Sequence, residues 1–286
     1  MKKAAVLNDI SGFGKCSLTV ALPVLSAMGI QCCPIPTAVL TSQSEYTYYK
    51  SCDLTDMIPN FTEAWQHNGE SFDAIYSGYM TGPKQISHFM DFVDCFYKEN
   101  TLLLVDPVMG DNGMTYDVFD QQLLDSMKCL ISRADIITPN ITEACLLADI
   151  DVSTIEKFSS KEDSTKFASE LGFIIKDSCK NNPDIVITGI KYIEDQKPFI
   201  SNCAITQTGV NCFSSSFLDK SYSGTGDLFA SILCGARLNN LSTDEGMEIA
   251  SDFIELCIKD TMRDNTPSVA GVNFEKYLSR LVRHVK

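Results

Sequence analysis

The stretch YSGTGDLFASILCGARL, residues 222–238, holds the residue types best suited to chemistry. Gly224, Thr225 and Gly226 stand directly before a carboxylate, Asp227, and Leu228, Ile232, Leu233 and Ala236 follow at helical spacing. The N–H groups at the start of a helix lack intrahelical partners and attract anions. Two glycines allow close backbone approach to such an anion and left-handed φ values, so the amides of 224–227 could line an anion hole. An acid beside that hole is electrostatically awkward unless it takes a proton from a nucleophile attacking a held phosphoryl group. Asp227 could equally be a first-turn acid facing the helix dipole, and the residues alone leave both readings open.

A second glycine loop, GFGKCS at 12–17, fails two phosphate patterns. The P-loop spacing puts its first glycine at position 9, where Asp9 stands, and the dinucleotide fingerprint puts its third glycine at Ser17. It is equally well a plain turn ahead of a helix.

These loops need elements to hold them. Short apolar runs alternate with polar turns and helical patterns. AAVL (4–7) precedes a helix over 17–28, and IQCCPIP (30–36) precedes TAVLTSQSEY. FDAIYSG (72–78) leads to a helix over 85–98, and TLLLV (101–105) to one around 119–131. ADIIT (134–138) and DIVIT (184–188) continue the series. The alternation predicts an α/β fold of three layers, helices on both faces of a central, mostly parallel sheet. KPFISNCAIT and VNCFSSSF read as an antiparallel pair turning at Gly209, Thr243 as the cap of a helix over 243–262, and 274–284 as a last helix. In an open parallel sheet, ligands bind beyond the carboxyl ends of the strands. The segments 9–14, 78, 106–113, 139–143, 189 and 224–227 all follow apolar runs, so they are expected to converge on one edge.

Composition narrows the partners. A net charge of −14 argues against nucleic acid and means that an anionic substrate must be held by local features. Nothing is long and apolar enough to span a membrane, and the run behind Lys2 and Lys3 stops at Asn8, too short for a signal peptide. The chain is expected to be cytoplasmic. Its 12 cysteines include no Cys-x-x-Cys, and none of the three histidines, His67, His88 and His284, has zinc-ligand spacing to a cysteine. They read as small buried hydrophobes.

SGTGD before an apolar helix resembles the C-terminal signature of the ribokinase superfamily. NDISGFGKCSLTVALPVLSAMGI (8–30), PTAVLTSQSEY (36–46), VDPVMGDNG (105–113) and ADIITPNITEACLL (134–147) resemble the segments of its pyridoxal and pyridoxamine kinase group, in the same order. The resemblance implies one ribokinase-like kinase domain over 1–286 with a small flap, homodimers, and ATP-dependent phosphorylation of the 5′-hydroxymethyl of a vitamin B6 vitamer. It assigns the base to Asp227 and the anion hole to Gly224, Thr225 and Gly226. Asn140 and Glu143 would organise Mg²⁺ and the ATP phosphates, with Asp106 near the metal, so that Asp106 and Glu143 are its carboxylates. Thr188 and Gly189 would flank the nucleotide. Asp9, Ser11, Ser42, Gln43 and Tyr79 would touch the substrate. Whether a monovalent cation assists stays open.

The chain departs from the group at LTSQSEYTYYK, where Gln43 stands in place of an expected histidine and the following glycines are missing. An amide can hydrogen-bond a ring substituent but not as a cation. The departure leaves the kinase reading intact and opens the substrate. Tyr46, Tyr48 and Tyr49 could pack over a heteroaromatic ring or belong to a partly buried surface hairpin. Hydroxymethylpyrimidine kinase is the alternative enzyme, sharing the D-x-S-G of Asp9–Gly12. Its members often carry Cys where Asp227 stands. A sugar kinase fits less well, because no glycine-rich sugar-binding strand pair is present. A non-catalytic ligand-binding regulator on the same scaffold is the alternative of another class.

Overall fold

A computed structural model describes residues 1–155, 158–218 and 220–285. The strands are β1 (Lys3–Ser11), β2 (Gln31–Leu40), β3 (Ser51–Asp53), β4 (Ala74–Ser77), β5 (Leu102–Val105), β6 (Gly110–Asp111), β7 (Met114–Thr115), β8 (Ile136–Ile137), β9 (Asp184–Glu194), β10 (Lys197–Ile205) and β11 (Val210–Ser216). The helices are α1 (Leu18–Ala27), α2 (Ile58–His67), α3 (Pro83–Phe96), α4 (Gln121–Ile131), α5 (Ile141–Leu147), α6 (Lys161–Ser178), α7 (Thr225–Leu238), α8 (Thr243–Arg263) and α9 (Ser279–Val282).

Nine strands form one sheet in the order β11-β10-β9-β8-β5-β4-β1-β2-β3, and β6 and β7 make a separate hairpin. The six strands from β9 to β2 run parallel, with antiparallel strands at both margins. The apolar runs are strands because both faces are covered. Ala5, Leu7, Ile75, Leu103, Ile137 and Ile185 pack with Phe89 and Phe92 of α3, Leu123 of α4 and Leu171 of α6. Ala4, Val6, Tyr76, Leu104, Ile136 and Val186 pack with Leu18 and Val24 of α1, Ile232 and Leu233 of α7 and Phe253 of α8. Alternate residues of each strand thus enter alternate cores, and the expected three layers result.

Several boundaries differ from the sequence reading. β2 runs on to Leu40, through residues expected to leave the sheet. β9 continues to Glu194 and turns into β10 through Asp195 and Gln196, both at positive φ. β10 and β11 pair antiparallel, as expected. Helix α8 is capped by Ser242 rather than Thr243. The Ser242 hydroxyl accepts the Glu245 N–H at 3.1 Å, the Glu245 carboxylate accepts the Ser242 N–H at 2.7 Å, and Thr243 instead donates to Asp184 at 2.5 Å. The last helix is a 3₁₀ turn at Glu275–Tyr277 followed by the short α9.

The cysteines are less uniform than expected. Cys16, Cys145, Cys234 and Cys257 are buried, but Cys52, Cys95 and Cys129 are exposed. Cys203 and Cys212 are joined, because the β10–β11 register sets them directly opposite. Among the described residues, no helix is long and apolar enough to cross a membrane.

Candidate active site

The carboxyl ends of the parallel strands and the start of α7 meet at one edge of the sheet, the arrangement expected from the spacing of the polar loops. Gly224 caps α7 with φ of 79°. A Cβ there would lie 1.9 Å from the Lys15 carbonyl oxygen, so only glycine lets the α7 turn lie on the loop between β1 and α1. The first helical bond runs from the Leu228 N–H to the Gly224 carbonyl at 3.0 Å. The amides of Thr225, Gly226 and Asp227 therefore stand outside the helical ladder. The Thr225 hydroxyl donates to the Tyr222 carbonyl at 3.2 Å, which closes the turn. A Cβ at Gly226 would meet nothing within 4 Å, so this side of the turn is open.

Asp227 is anchored from β1. The Asn8 Nδ2 donates to its Oδ1 at 2.9 Å. Burial raises the Asp227 carboxyl to about 6, with Asp9 pushing the same way and hydrogen bonds from the Ser17 amide and Asn8 opposing. Asp106, just past β5, is buried and accepts the Thr138 hydroxyl at 3.1 Å. Burial, then the Asp227 charge, pushes it up to about 8. Glu143 is buried as well, and desolvation followed by the Asp106 charge holds it well above the ordinary range. Asp9 is raised by burial, against hydrogen bonds from Ser17 and Ser11. Four acids thus share one edge, and the hydrogen bonds they accept only partly offset their burial and mutual repulsion.

Asn140 and Glu143 form a capping box on α5. The Asn140 Oδ1 accepts the Thr142 and Glu143 amides at 2.9 and 3.0 Å, and Glu143 Oε2 accepts the Asn140 N–H at 2.9 Å. Their remaining atoms pin the segment after β5. Asn140 Nδ2 donates to the Gly110 carbonyl at 2.7 Å, and the Met109 N–H donates to Glu143 Oε1 at 3.1 Å. The Thr188 N–H donates to the Pro139 carbonyl at 2.9 Å, which brings β9 beside the cap. Gly189 has φ of 74° and donates its N–H to Asn202 Oδ1 at 3.1 Å.

The remaining predicted residues lie at the end of β1, in the loop after β2 and just past β4. Ser11 and Ser17 both donate to Asp9, at 3.1 and 2.5 Å. Tyr79 is half-buried, with its phenol raised to about 12 by burial and by Asp9. Ser42 donates to the Tyr48 carbonyl at 3.3 Å. Gln43 is buried, and its amide is fully engaged. Nε2 donates to the Val269 carbonyl at 3.0 Å and to the Ser223 hydroxyl at 3.3 Å, and Oε1 accepts the Glu45 N–H at 2.8 Å. Of the tyrosine group, Tyr48 is exposed to solvent, and Tyr49, also exposed, acts electrostatically on Tyr79.

Asn8, Ser17 and Thr138 are site residues that the sequence reading passed over. Asn8 had a visible signal, as the polar residue that ends an apolar strand run beside Asp9. Ser17 was visible only as a failed third glycine, and Thr138 carried no signal until Asp106 lay next to it.

A divalent cation suits this acidic edge. Among the described residues, no group of three or more His, Cys, Asp or Glu could hold a metal by itself. Mg²⁺ characteristically takes one or two carboxylates and completes its shell with water and substrate phosphates, and the raised Asp106 and Glu143 match that demand.

Comparison with known proteins places the chain in a family. Residues 21–270 match the family described as phosphomethylpyrimidine kinase. A solved protein of Bacteroides thetaiotaomicron, assigned as a phosphomethylpyrimidine kinase and crystallised with pyridoxal, is 35% identical with a TM-score of 0.89, over 98% of this chain and 95% of that one. Pyridoxal kinase of Lactobacillus plantarum is 26% identical with a TM-score of 0.86, over 99% and 97% of the two chains. Pyridoxal kinase of Dictyostelium discoideum is 26% identical over 284 residues, 93% of this chain and 88% of its own. A Schizosaccharomyces pombe protein assigned as a pyridoxal kinase is 28% identical over 59% of this chain, and the match spans 47% of that relative's length. The chain belongs to the phosphomethylpyrimidine kinase family, a family of small-molecule kinases.

Proposed function

We propose that the chain, acting as a single kinase domain, transfers the γ-phosphoryl group of ATP to the 5′-hydroxymethyl of pyridoxal, pyridoxamine or pyridoxine. The observation that carries this reading is a carboxylate raised to about 6, fixed at the open N-terminus of α7. At neutral pH Asp227 is ionised, and it is more basic than an ordinary aspartate, as a general base should be. It takes the proton of the primary hydroxyl as the oxygen attacks phosphorus. The amides of Thr225, Gly226 and Asp227 receive the negative oxygens of the transferred group, without reorganising during the reaction. Thr188 and Gly189 flank the nucleotide, and Asn140 keeps the α5 cap and the β6 segment in register beside it. Asp9, Ser11, Ser42 and Tyr79 face the substrate, while Gln43 supports their wall.

Asp106 and Glu143 would hold Mg²⁺, Glu143 through water because both of its oxygens already accept backbone amides. When bound, that ion neutralises phosphate charge. Like-charged acids gathered at one edge support a site completed by Mg²⁺ and nucleotide together.

A second enzyme reading, hydroxymethylpyrimidine kinase, is favoured by the family description itself. Pyridoxal in the 35% identical neighbour favours the vitamin B6 reading. ATP turnover measured with pyridoxal, pyridoxamine, pyridoxine and hydroxymethylpyrimidine separates the two. Turnover confined to the pyrimidine overturns the substrate assignment, and tight binding without turnover of any of them overturns the enzyme reading. Asp227→Asn is expected to keep ATP binding and lose roughly 10²–10⁴-fold in kcat. A variant with wild-type kcat would refute the base assignment.

A further inference from the structure

The polar network around Asp227 converges on one side chain that the proposed chemistry does not use. Asn8 is fully buried. The β1–β4 ladder reaches its last strand pair at Leu7 and Ser77, and the Gly78 N–H still donates to the Leu7 carbonyl at 2.8 Å. Beyond that point the ladder continues through the Asn8 side chain. Its Oδ1 accepts the Tyr79 N–H at 2.9 Å and the Asp9 N–H at 3.0 Å. The pairing of β1 with β2 shifts register between Asn8 and Ile10, an irregularity that re-aims side chains at the end of a strand.

These contacts fix the orientation of the amide. An oxygen that accepts two backbone N–H groups cannot exchange places with the NH₂, which would set donor against donor. The NH₂ must therefore face Asp227, where it donates at 2.9 Å. Gly78 closes the arrangement from behind, since a Cβ at that position would lie 2.3 Å from Asn8 Nδ2. The amide is thus oriented by two amides of the substrate wall and points at one oxygen of the proposed base.

We infer that Asn8 is a positioning residue, a strut that sets the Asp227 carboxylate relative to the substrate wall formed by Asp9 and Tyr79. The inference rests on the proposed base role of Asp227. Asn8 has two separable duties. Its oxygen satisfies backbone amides, which is structural. Its nitrogen holds the carboxylate, which acts on the reaction through Asp227.

Asn8→Asp keeps an acceptor for Tyr79 and Asp9, removes the donor to Asp227 and sets a carboxylate in its place, so the proposed base is both released and repelled. A donor to a charged group contributes enough that kcat should fall roughly 10- to 100-fold, with KM for ATP and for pyridoxal unchanged within about threefold. In an Asp227→Asn background the same change should cost kcat nothing further, because no base remains to be positioned. A purely structural role would multiply the two losses and raise both KM values. If Asn8→Asp does not fold, Asn8→Ser gives an uncharged cycle that shortens the side chain and withdraws it from Asp227, with the same expected loss in kcat and none further in the Asp227→Asn background. A kcat within twofold of wild type for the folded variant, with Asp227→Asn inactive, overturns the strut and leaves the base. Full activity of Asp227→Asn alone overturns the base reading instead.

Discussion

Replacing Asp106 with Asn should make the nucleotide-free protein more stable while removing most of its activity. Asp106 is 7% exposed, and its carboxyl ionises near 8 rather than 3.8 because it is desolvated and faces Asp227. Its folded-state pKa lies above its unfolded one, so the folded protein binds the extra proton. The stability tied to this group is present at low pH and is lost as pH rises from about 4 to about 8. At about 1.4 kcal/mol per pH unit, the penalty at neutral pH is on the order of 2–4 kcal/mol once the neighbouring acids relax. Asn is nearly isosteric, its oxygen can still accept the Thr138 hydroxyl, and it never ionises. For a chain of this size, a gain of that order raises Tm by roughly 5–10 °C. Thermal unfolding of Asp106→Asn and wild type, in EDTA and without nucleotide, should show the full difference at pH 8 and a difference of roughly a third of it at pH 5, only about one unit above the unfolded-state pKa. An equal difference at both pH values, or a less stable variant at pH 8, would show that Asp106 carries no stored repulsion. Under the proposed function the same variant should also lose turnover, because the charge that costs stability is the one that would be offered to Mg²⁺.

Further perturbations address the α7 turn and its acid. The Asp227 carboxyl, raised to about 6 by burial, must be ionised to accept a proton, so kcat/KM for pyridoxal should fall tenfold per pH unit below about 6. A profile flat down to pH 5 would assign the proton to another group. Gly224→Ala places a Cβ 1.9 Å from the Lys15 carbonyl at a left-handed φ, and should cost at least about 2 kcal/mol and several degrees of Tm. Gly226→Ala enters open space, so its Tm should stay within about 2 °C, while the added methyl beside the anion-binding amides lowers kcat. Comparing the melting curve and turnover of the two variants checks both statements.

The layered fold was legible because its strands are buried on both faces. Runs such as AAVL (4–7) and LLLV (102–105) carry apolar residues at every position, which a one-sided sheet would not need. What escaped were elements decided by tertiary contact. β8 has only two residues in ladder pairing, and β3 exists because three residues pair with the end of β2. Helices α2 and α6 were not assigned from the sequence, although α6 carried a signal. For α6, Ser160 accepts the Asp163 N–H, a cap readable from Ser-x-x-Asp before a helical run. The cap of α8 illustrates the same limit in another way. Ser242 and Thr243 are both good caps, and only Glu245, three residues after Ser242, decides between them. At the site, the acids announced themselves by type and position, but their effect on one another did not. Asp9, Asp106, Glu143 and Asp227 are spread over more than two hundred residues, and their raised pKa values come from burial at one edge.

Gln43 shows how structure changes the substrate question. Read as a sequence, Gln43 replaces a histidine that would face the substrate, and the loss of a cationic ring suggests altered specificity. In the fold, all of its hydrogen-bonding atoms turn inward. It ties the loop after β2 to Val269 and to Ser223, the residue before Gly224, while the Ser223 hydroxyl donates to Glu45 at 2.9 Å. The Gln43 N–H also donates to the Phe13 carbonyl at 2.8 Å, and a Cβ at Gly14 would press on the Gln43 side chain. Position 43 therefore braces three loops, those after β1 and β2 and the one before α7. Under the proposed function, discrimination among substrates would therefore fall to the other residues assigned to the substrate, Asp9, Ser11 and Tyr79, rather than to an amide whose hydrogen bonds are already taken up by the loops it braces.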